Sequence, residues 1–542
     1  GYYESTTKLT KESTQHFIGE TITLAVAPND NYGCTSLYIN GRNVVDKVVL
    51  DDSGKSTYSF RATESKYTIV PEFTYKIFAN NSKWDLTNQF NGMVSLPSGG
   101  TDKTLQFNET YTDMDLTLKV KDYVDPNSTA ARTDVMFVFD ADKDKAFEVG
   151  DGAVVTGDGG DESVTFGVVY TSGSYRVQTM ACTLLNWKTP REMTPEEIAL
   201  YTNGMGIDFR IVRSGTDFYL YLNDSVVKHY DFSTSIDAST EAMVYIRHYD
   251  DAGVRVDIPF EVSREVEKIF GDDSVSSFWD VSGQFEGVVT LPNGGGSTAG
   301  ALQFNKQYKD VDITIKVKDD PNSSTTDAMK DEASRTGIYF KFENNQEVAF
   351  TVTAGGTTGY RVQTMGGNIY NYKSPYELTT EEIALYEGEG LDFRVVRLGS
   401  VVYLYINGRQ VVEMNLGVNS SGVTANMLAT MKLLHYGDAN VQVDVPFTIT
   451  ENVKETTLDI ASSDHGKITT NIVGYYESTT KLTKESTQHF MGETITLTVT
   501  PNEGYRCVRL KVNGKIVTLN KGTYTFVATK PKYTVEAIYE AE

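Results

Sequence analysis

The sequence predicts an all-β chain made of two β-sandwiches, each with one short helix, flanked by small β repeat modules. Runs rich in Tyr, Phe, Val and Thr alternate with polar residues, as strands with one buried face require. The first residues of the chain recur near its end, and a longer segment recurs between them. A short capped helix pattern occurs once in each copy of that longer segment.

Composition limits the function classes. The 542 residues exceed what one core supports, so several domains are expected. The formal net charge of −24 argues against nucleic-acid binding, which needs clustered Lys and Arg. No apolar run approaches the ~18 residues of a membrane span, so no membrane insertion is expected. Three cysteines, Cys34, Cys182 and Cys507, are too few for a disulfide framework and do not fix the compartment.

The flanking modules are copies of one repeat. Residues 1–17 and 474–490 share the string GYYESTTKLTKESTQHF, and GETITLAVAPND is followed later by GETITLTVTPNE. Asn-Gly and Pro-Asn turns separate their short strands. The second copy has a leading strand at residues 465–473 that the first copy lacks. The predicted modules span residues 1–74 and 453–542. They resemble internalin B-type bacterial repeats, which implies a spacer or stalk.

The longer duplication predicts one sandwich at residues 75–264 and a second at 265–452. YRVQTM occurs at residues 175–180 and 360–365, and DFRIVR at 208–213 pairs with DFRVVR at 392–397. Each copy continues into a strand, a tight turn and another strand, with Asn407-Gly408 suited to a type I′ hairpin. This run resembles the concanavalin A-like/laminin G-like jelly roll. The resemblance implies two stacked antiparallel sheets, each with one free face.

One helix is predicted in each copy. Thr194 precedes Pro195 and is followed three residues later by Glu197, and Thr379 is followed by Glu382 in the same spacing. Thr with Glu three residues later is a capping box, and Pro suits the first helical position. The paired Glu residues are therefore interpreted as helix-start charges, not as a catalytic couple.

The sequence does not predict an enzyme. Glycanases of this fold need carboxylates about 5–9 Å apart, and no E-x-D-x-E or E-x-D-x-x-E string occurs. A glycoside hydrolase whose carboxylates come from distant segments stays an alternative. No cofactor is expected beyond a candidate calcium site, because Asp140, Asp142 and Asp144 alternate as calcium ligands do.

Two matched loops are the candidate ligand sites. Each is an Asn-aromatic-Lys-x-Pro loop: Asn186-Trp187-Lys188 in the first copy and Asn371-Tyr372-Lys373 in the second. Aromatic rings stack on the C–H faces of sugars, while polar side chains bond the hydroxyls. The alternative is a hydrophobic plug under the helix, against Ile198 and Ile383.

The strand before each loop adds polar candidates. Alternation places Arg176 and Gln178 on one face, opposite Tyr175, and Arg361 and Gln363 correspond to them. We expect these four side chains to face the free sheet surface; the alternative is ordinary solvated strand residues. Three further candidates for ligand binding are Tyr370, His248 and His435.

These features predict a non-catalytic carbohydrate-binding protein. The tandem arrangement is weakly similar to starch-adherence (amylosome-type) surface proteins of gut Gram-positive bacteria. That resemblance implies an extracellular location on a bacterial surface, cell-wall or scaffold anchoring, and a polysaccharide ligand with a starch-like α-glucan first. Alternatives are a protein-binding adhesin and a structural stalk.

Overall fold

The structure, a computed structural model, describes most of the chain. The described residues are 2–4, 7–9, 15–29, 32–50, 56–79, 81, 83–99, 103–123, 130–139, 162–180, 182–249, 251, 253–270, 278–292, 300–318, 335–353, 359–365, 369–370, 372–418, 421–436, 441–477 and 480–542. Strands dominate, and the predicted fold class is confirmed. Within these ranges, every helix is too short or too polar to cross a bilayer.

Two compact units divide the chain, one of residues 1–267 and one of residues 268–542. Each unit contains one small repeat module and one β-sandwich. We call these the leading repeat and sandwich A in the first unit, and sandwich B and the trailing repeat in the second. The predicted boundaries at residues 74, 264 and 452 stay predictions.

In the described residues of the leading repeat there are eight short strands and a 3-10 turn at Val45–Lys47. The strands are β1 Tyr2–Glu4, β2 Thr7–Leu9, β3 Thr21–Val26, β4 Tyr32–Ile39, β5 Arg42–Asn43, β6 Val49–Leu50, β7 Ser56–Arg61 and β8 Ile69–Tyr75. They form the sheets β3-β7-β6 and β5-β4-β8 and the hairpin β1-β2. Its core is small and centres on Val26, Leu37 and Val44.

Sandwich A consists of two antiparallel six-stranded sheets and one helix. Its elements are β9 Met93–Leu96, β10 Lys103–Tyr111, β11 Asp113–Val120, β12 Ala130–Phe139, β13 Ser163–Thr171, β14 Ser174–Thr179, β15 Lys188–Glu192, α1 Pro195–Thr202, β16 Ile207–Ser214, β17 Asp217–Leu222, β18 Ser225–Asp231, β19 Ala242–Tyr249 and β20 Val256–Ser263. The sheet orders are β10-β19-β12-β13-β14-β15 and β18-β17-β16-β11-β20-β9.

Strict alternation builds the core between these sheets. Along β11, Met114, Leu116, Leu118 and Val120 are buried while the residues between them are partly exposed. Each such side chain contributes about 1.5–3 kcal/mol by leaving water. The opposite face of each sheet is consequently available for polar side chains, and it is there that the candidate site lies.

Sandwich B repeats this architecture. Its elements are β21 Val288–Leu291, β22 Gly300–Tyr308, β23 Val311–Val317, β24 Arg335–Phe342, β25 Glu347–Thr353, β26 Arg361–Met365, β27 Tyr376–Glu377, α2 Thr380–Tyr386, β28 Leu391–Leu398, β29 Val401–Ile406, β30 Arg409–Asn415, β31 Ala429–Tyr436 and β32 Val443–Thr450. One sheet has the order β22-β31-β24-β25-β26-β27. In both sandwiches a 3-10 turn precedes the first strand, at Gln89–Asn91 and Gln284–Glu286.

The trailing repeat, apart from residues 478–479, contributes ten strands to the structure. They are β33 Glu455–Ile460, β34 Gly466–Thr469, β35 Ile472–Glu477, β36 Thr480–Glu485, β37 His489–Phe490, β38 Thr494–Pro501, β39 Tyr505–Val512, β40 Lys515–Val517, β41 Thr523–Val527 and β42 Lys532–Ala541. Its own core forms around Ile495, Leu497 and Leu510.

The hairpin β35-β36 also extends the second sheet of sandwich B to eight strands, in the order β21-β32-β23-β28-β29-β30-β35-β36. β35 pairs in parallel with β30, with Val412 opposite Gly474 and Met414 opposite Tyr476. The ring of Tyr476 is part of the core of sandwich B. The sheet edge of the sandwich is therefore closed by a strand from the repeat.

Both predicted helices are confirmed with their capping boxes. The hydroxyl of Thr194 accepts a hydrogen bond from the backbone N–H of Glu197, and the Glu197 carboxylate accepts one from the N–H of Thr194. Thr379 and Glu382 make the same exchange in sandwich B.

Candidate functional site

The candidate site lies on the outer face of the sheet β10-β19-β12-β13-β14-β15 of sandwich A. Strand pairing aligns one row of residues across this face: Tyr249, Arg132, Val169, Arg176 and Glu192. Arg132 stacks on the ring of Tyr249, with its guanidinium 3.9 Å from the ring centroid. Two guanidinium groups therefore share this face of the sheet with an aromatic ring and a carboxylate.

A second row runs beside the first through Arg247, Asp134, Gly167 and Gln178. The carboxylate of Asp134 is fully buried and pairs with Arg247 at 2.5 Å and with Arg132 at 2.8 Å. Burying a carboxylate is tolerated only with such partners. A side chain at Gly167 would place its Cβ 2.5 Å from that of Asp134, so glycine leaves room for this network.

Arg176 and Gln178 lie on this outer face, because Val177 between them is buried in the core. The Arg176 Nε–H donates to the amide oxygen of Gln178 at 3.2 Å, and Nη1–H donates to the hydroxyl of Ser174 at 3.2 Å. Both side chains are partly exposed. Their polar groups are thus held in fixed positions and remain reachable from solvent.

Trp187 lies beside them, in the loop immediately before β15. Its side chain is 53% exposed, so it is not the plug under the helix that was the alternative. The Asn186 side-chain oxygen accepts the backbone N–H of Trp187 at 2.9 Å, and the hydroxyl of Thr179 accepts the N–H of Lys188 at 2.8 Å. These bonds fix the loop backbone, and the side chains of Asn186 and Lys188 are exposed next to it.

Together these residues surround a pocket of about 210 Å³. Its lining consists of Ala130, Ala131, Arg132, Val169, Tyr170, Thr171, Arg176, Gln178 and Trp187. An indole ring, two guanidinium groups and an amide therefore converge on one small cavity, and none of its lining residues in the described part of the chain is a carboxylate. This chemistry suits hydrogen bonding and ring stacking.

Sandwich B carries the same first row, with Tyr436, Arg335, Thr353, Arg361 and Glu377. There Arg361 and Gln363 are each only 8% exposed. Burial, and then the positive charge of Arg335, lower the pKa of the Arg361 guanidinium. The expected exposed pair of sandwich B therefore lies on the outer face, since Val362 between them is in the core, but its side chains are largely covered.

The second row differs between the sandwiches. Where sandwich A has Asp134 and Arg247, sandwich B has Gly337 and Leu434 on neighbouring strands. The buried ion pair is replaced by a small apolar cluster that includes Leu434. The two copies consequently offer different chemistry on this face.

The second loop is only partly described. Tyr372 is 62% exposed with a positive φ of 48°, while Asn371 lies outside the described residues. The backbone N–H of Lys373 donates to the hydroxyl of Thr364 at 3.0 Å. An exposed ring is therefore present in both copies, but the open polar pair beside it is found in sandwich A.

Two predicted ligand residues belong to the interior instead. His248 is buried, with one ring nitrogen 2.9 Å from the hydroxyl of Thr133 and the other 2.9 Å from the carboxylate of Asp251. His435 is also buried, and its Nδ1 lies 2.7 Å from the hydroxyl of Thr336. Because these side chains point inward between the sheets, including them in the site was wrong.

Tyr370 is a third correction. Its ring is buried in the core of sandwich B, and its hydroxyl donates to the carbonyl oxygen of Asn415 at 2.8 Å. The candidate calcium ligands Asp140, Asp142 and Asp144 lie outside the described residues. Within the ranges that are described, no cluster of three or more His, Cys, Asp or Glu is arranged to hold a metal.

Arg132 is the site residue that sequence reasoning missed. A signal was present, since Arg132-Thr133 and Arg335-Thr336 occupy matching positions in the two copies. Cross-strand alignment is what places Arg132 and Arg176 in one row, on either side of Val169, and the sequence alone does not specify that alignment.

A larger groove of about 790 Å³ lies on the other sheet of sandwich A, over Asp115, Lys119, Asp208 and Arg210. Its charges are already paired, with Arg210 2.7 Å from Asp115 and Lys119 2.7 Å from Asp208. The corresponding surface in sandwich B lies beside the trailing repeat, and there the Arg394 guanidinium donates to the carbonyl oxygen of Met491 at 2.7 Å.

Comparison with known proteins finds no matching family model and no matching curated protein. Solved structures show weak likeness to a legume lectin-like domain from Entamoeba histolytica, with 8% identity and a TM-score of 0.23 over 32% of this chain and 85% of that one. Mouse laminin alpha1 domains LG4-5 show 9% identity and a TM-score of 0.17 over 80% of this chain and 96% of that one. The botulinum neurotoxin type G receptor binding domain shows 14% identity and a TM-score of 0.21 over 78% of each chain. These TM-scores are too low to argue from, so the site rests on its own geometry.

Proposed function

We propose that the protein is a non-catalytic carbohydrate-binding protein of a bacterial cell surface. In this proposal it captures a polysaccharide through the outer face of sandwich A. The observation that carries the proposal is the exposed ring of Trp187 beside Arg132, Arg176 and Gln178 around one pocket.

The chemistry of that pocket matches a sugar. An indole ring covers the C–H face of a pyranose, and the guanidinium and amide groups bond its hydroxyl rim. A pocket of about 210 Å³ is smaller than the ~300–1,000 Å³ of drug-sized sites, and it suits one or two residues of a longer chain.

Such a site is weak by itself. Stacking on one ring buries on the order of 100 Å² and contributes roughly 2–3 kcal/mol at ~25 cal/mol/Å². That free energy alone corresponds to a dissociation constant of roughly 6–35 mM. An extended polymer with many equivalent residues offsets this weakness through repeated engagement. A starch-like α-glucan is the first ligand to test.

The test is retention of the intact chain on insoluble starch and on other insoluble polysaccharides. Trp187→Ala should abolish retention on the polysaccharide that is recognised, with the thermal unfolding midpoint unchanged. Phe278→Ala removes an equally exposed ring that does not line the pocket, and it serves as the matched control.

Tyr372→Ala distinguishes one site from two. Because Arg361 and Gln363 are buried, its effect should be much smaller than that of Trp187→Ala. Unchanged retention of Trp187→Ala on every polysaccharide that holds the wild-type chain would contradict the proposal and favour the protein-binding adhesin.

A further inference from the structure

The two repeat modules present the same short turn in two different environments. Residues 1–17 and 474–490 are identical, and they continue as Ile18-Gly19-Glu20 and Met491-Gly492-Glu493. We call residues 16–20 the leading turn and residues 489–493 the trailing turn.

The leading turn is held by its own hydrogen bonds. The carboxylate of Glu20 accepts the backbone N–H of Phe17 at 3.0 Å and lies 3.1 Å from His16. The N–H of Gly19 donates to the carbonyl oxygen of Ala62 at 2.7 Å.

The trailing turn has matching bonds. The carboxylate of Glu493 accepts the N–H of Phe490 at 3.1 Å and lies 2.9 Å from His489. The N–H of Gly492 donates to the carbonyl oxygen of Ala528 at 2.7 Å. The leading turn therefore already has the conformation of the trailing one.

The trailing turn is docked on sandwich B through an aromatic contact. The ring of Phe490 is fully buried in a cluster with Val396, Tyr403 and Tyr405, and its centroid lies 5.0 Å from that of Tyr403. The Tyr405 hydroxyl also donates to the carboxylate of Glu493 at 3.3 Å.

Polar contacts complete this docking. The Arg394 guanidinium, paired with Asp312, donates to the carbonyl oxygen of Met491 at 2.7 Å. The N–H of Thr494 donates to the carbonyl oxygen of Gly408 at 2.6 Å. The outer face of sandwich B thus contacts both the Phe490 ring and the backbone of the trailing turn.

The same ring is uncovered in the leading turn. Phe17 is 81% exposed and Ile18 is 70% exposed. In sandwich A the residues that match the docking cluster, Val212, Tyr219 and Tyr221, are themselves buried. The leading turn is thus a preformed apolar turn exposed to solvent. The equivalent ring of Phe490 shows the kind of surface that such a turn binds.

We propose that the leading turn is a docking element for a separate β-sandwich whose outer face carries the Val–Tyr–Tyr cluster and Arg–Asp ion pair of sandwich B. The partner binds Phe17 in the aromatic cluster and the carbonyl of Ile18 on the arginine. Preorganisation of the turn lowers the entropic cost of this contact.

The test uses a full-length probe with an open sandwich B face and no leading turn of its own. Phe17→Asp removes the docking ring of the probe's own leading turn. Phe490→Asp and Met491→Asp release the trailing turn from the outer face of sandwich B. Mixed with wild-type chain, this probe should form a one-to-one complex in sedimentation velocity. Mixed with the Phe17→Asp chain, it should bind at least about 30-fold more weakly.

Circular dichroism checks that the probe is folded, and amide exchange at β35 checks that its trailing repeat is released. If the probe does not fold, the milder combination of Phe17→Asp with Phe490→Ala replaces it in the same mixing experiment. A folded, open probe that forms no complex with the wild-type chain overturns the proposal. Binding that is unaffected by Phe17→Asp overturns it as well.

Discussion

The guanidinium of Arg397 donates a hydrogen bond to the carbonyl oxygen of Tyr308 at 2.8 Å inside sandwich B. It also donates to the carbonyl oxygens of Gly399 at 3.0 Å and Met427 at 2.6 Å. Arg213 occupies the same position in sandwich A and donates to the carbonyl of Tyr111. One fully buried arginine thus ties three loops of each sandwich together.

Replacing Arg397 by Met should lower the free energy of unfolding of the second unit by roughly 3–5 kcal/mol. Three carbonyl groups, one buried and two partly buried, would lose their donor, and each unsatisfied buried group costs about 1–3 kcal/mol. Urea unfolding measures the change. Arg506→Met, at an exposed arginine, is the control and should stay within about 0.5 kcal/mol. A similar small loss for Arg397→Met would contradict the structural role.

His248→Asn should destabilise sandwich A by roughly 2–4 kcal/mol without altering polysaccharide retention. The change leaves the buried carboxylate of Asp251 without the imidazole, and breaking a buried pair is costly. Thermal unfolding and the starch pull-down are measured on the same preparation. Lost retention with unchanged stability would return His248 to the binding site.

Thr194→Ala should cost about 1 kcal/mol, because the hydroxyl caps the N–H of Glu197. Thr202→Ala in the same helix is the matched control. Its hydroxyl bonds back to the carbonyl of Ile198, an interaction that adds little to helix stability. Equal effects of the two substitutions in denaturant unfolding would argue against the capping box.

Alkaline pH should destabilise the chain through its buried tyrosines. Burial raises the pKa of Tyr111 to about 12, and it raises the pKa of Tyr201 further, with nearby carboxylates adding to it. A group whose pKa is raised on folding contributes stability that is complete below its unfolded pKa of about 10 and is lost above it.

Burial lowers the pKa of Arg213 and of Arg397 to about 10. These two groups therefore make the folded state more stable as the pH rises above about 10, which opposes the effect of the tyrosines. The raised tyrosines include Tyr123 and Tyr403 too, so the net slope should be negative. Unfolding midpoints measured on both sides of pH ~10 should fall with pH, less steeply for Tyr111→Phe. A midpoint that rises with pH there would refute this balance.

Local patterns were enough to predict the fold. Alternation along β11, the capping boxes at Thr194 and Thr379, and the Asn407-Gly408 turn each depend on neighbours within a few residues. Such signals are carried by the chain itself.

Contacts between distant strands were not predictable in this way. Arg132 joins Arg176 only through the register of β12, β13 and β14. The burial of His248 has a local sign, because it shares a face with the core residues Val244 and Ile246. Recurrence of this histidine in both copies does not by itself indicate function, because a buried hydrogen-bonding role repeats equally well when a sandwich is duplicated.

The ring of Tyr476 belongs to the trailing repeat by sequence and to sandwich B by packing. A recombined gene that encoded sandwich B without β35 would produce a protein with a cavity in the core of the sandwich and an unpaired edge at β30. The unit that folds and is inherited together is therefore longer than the duplicated sandwich sequence suggests. Fragments intended for expression should end beyond the β35-β36 hairpin.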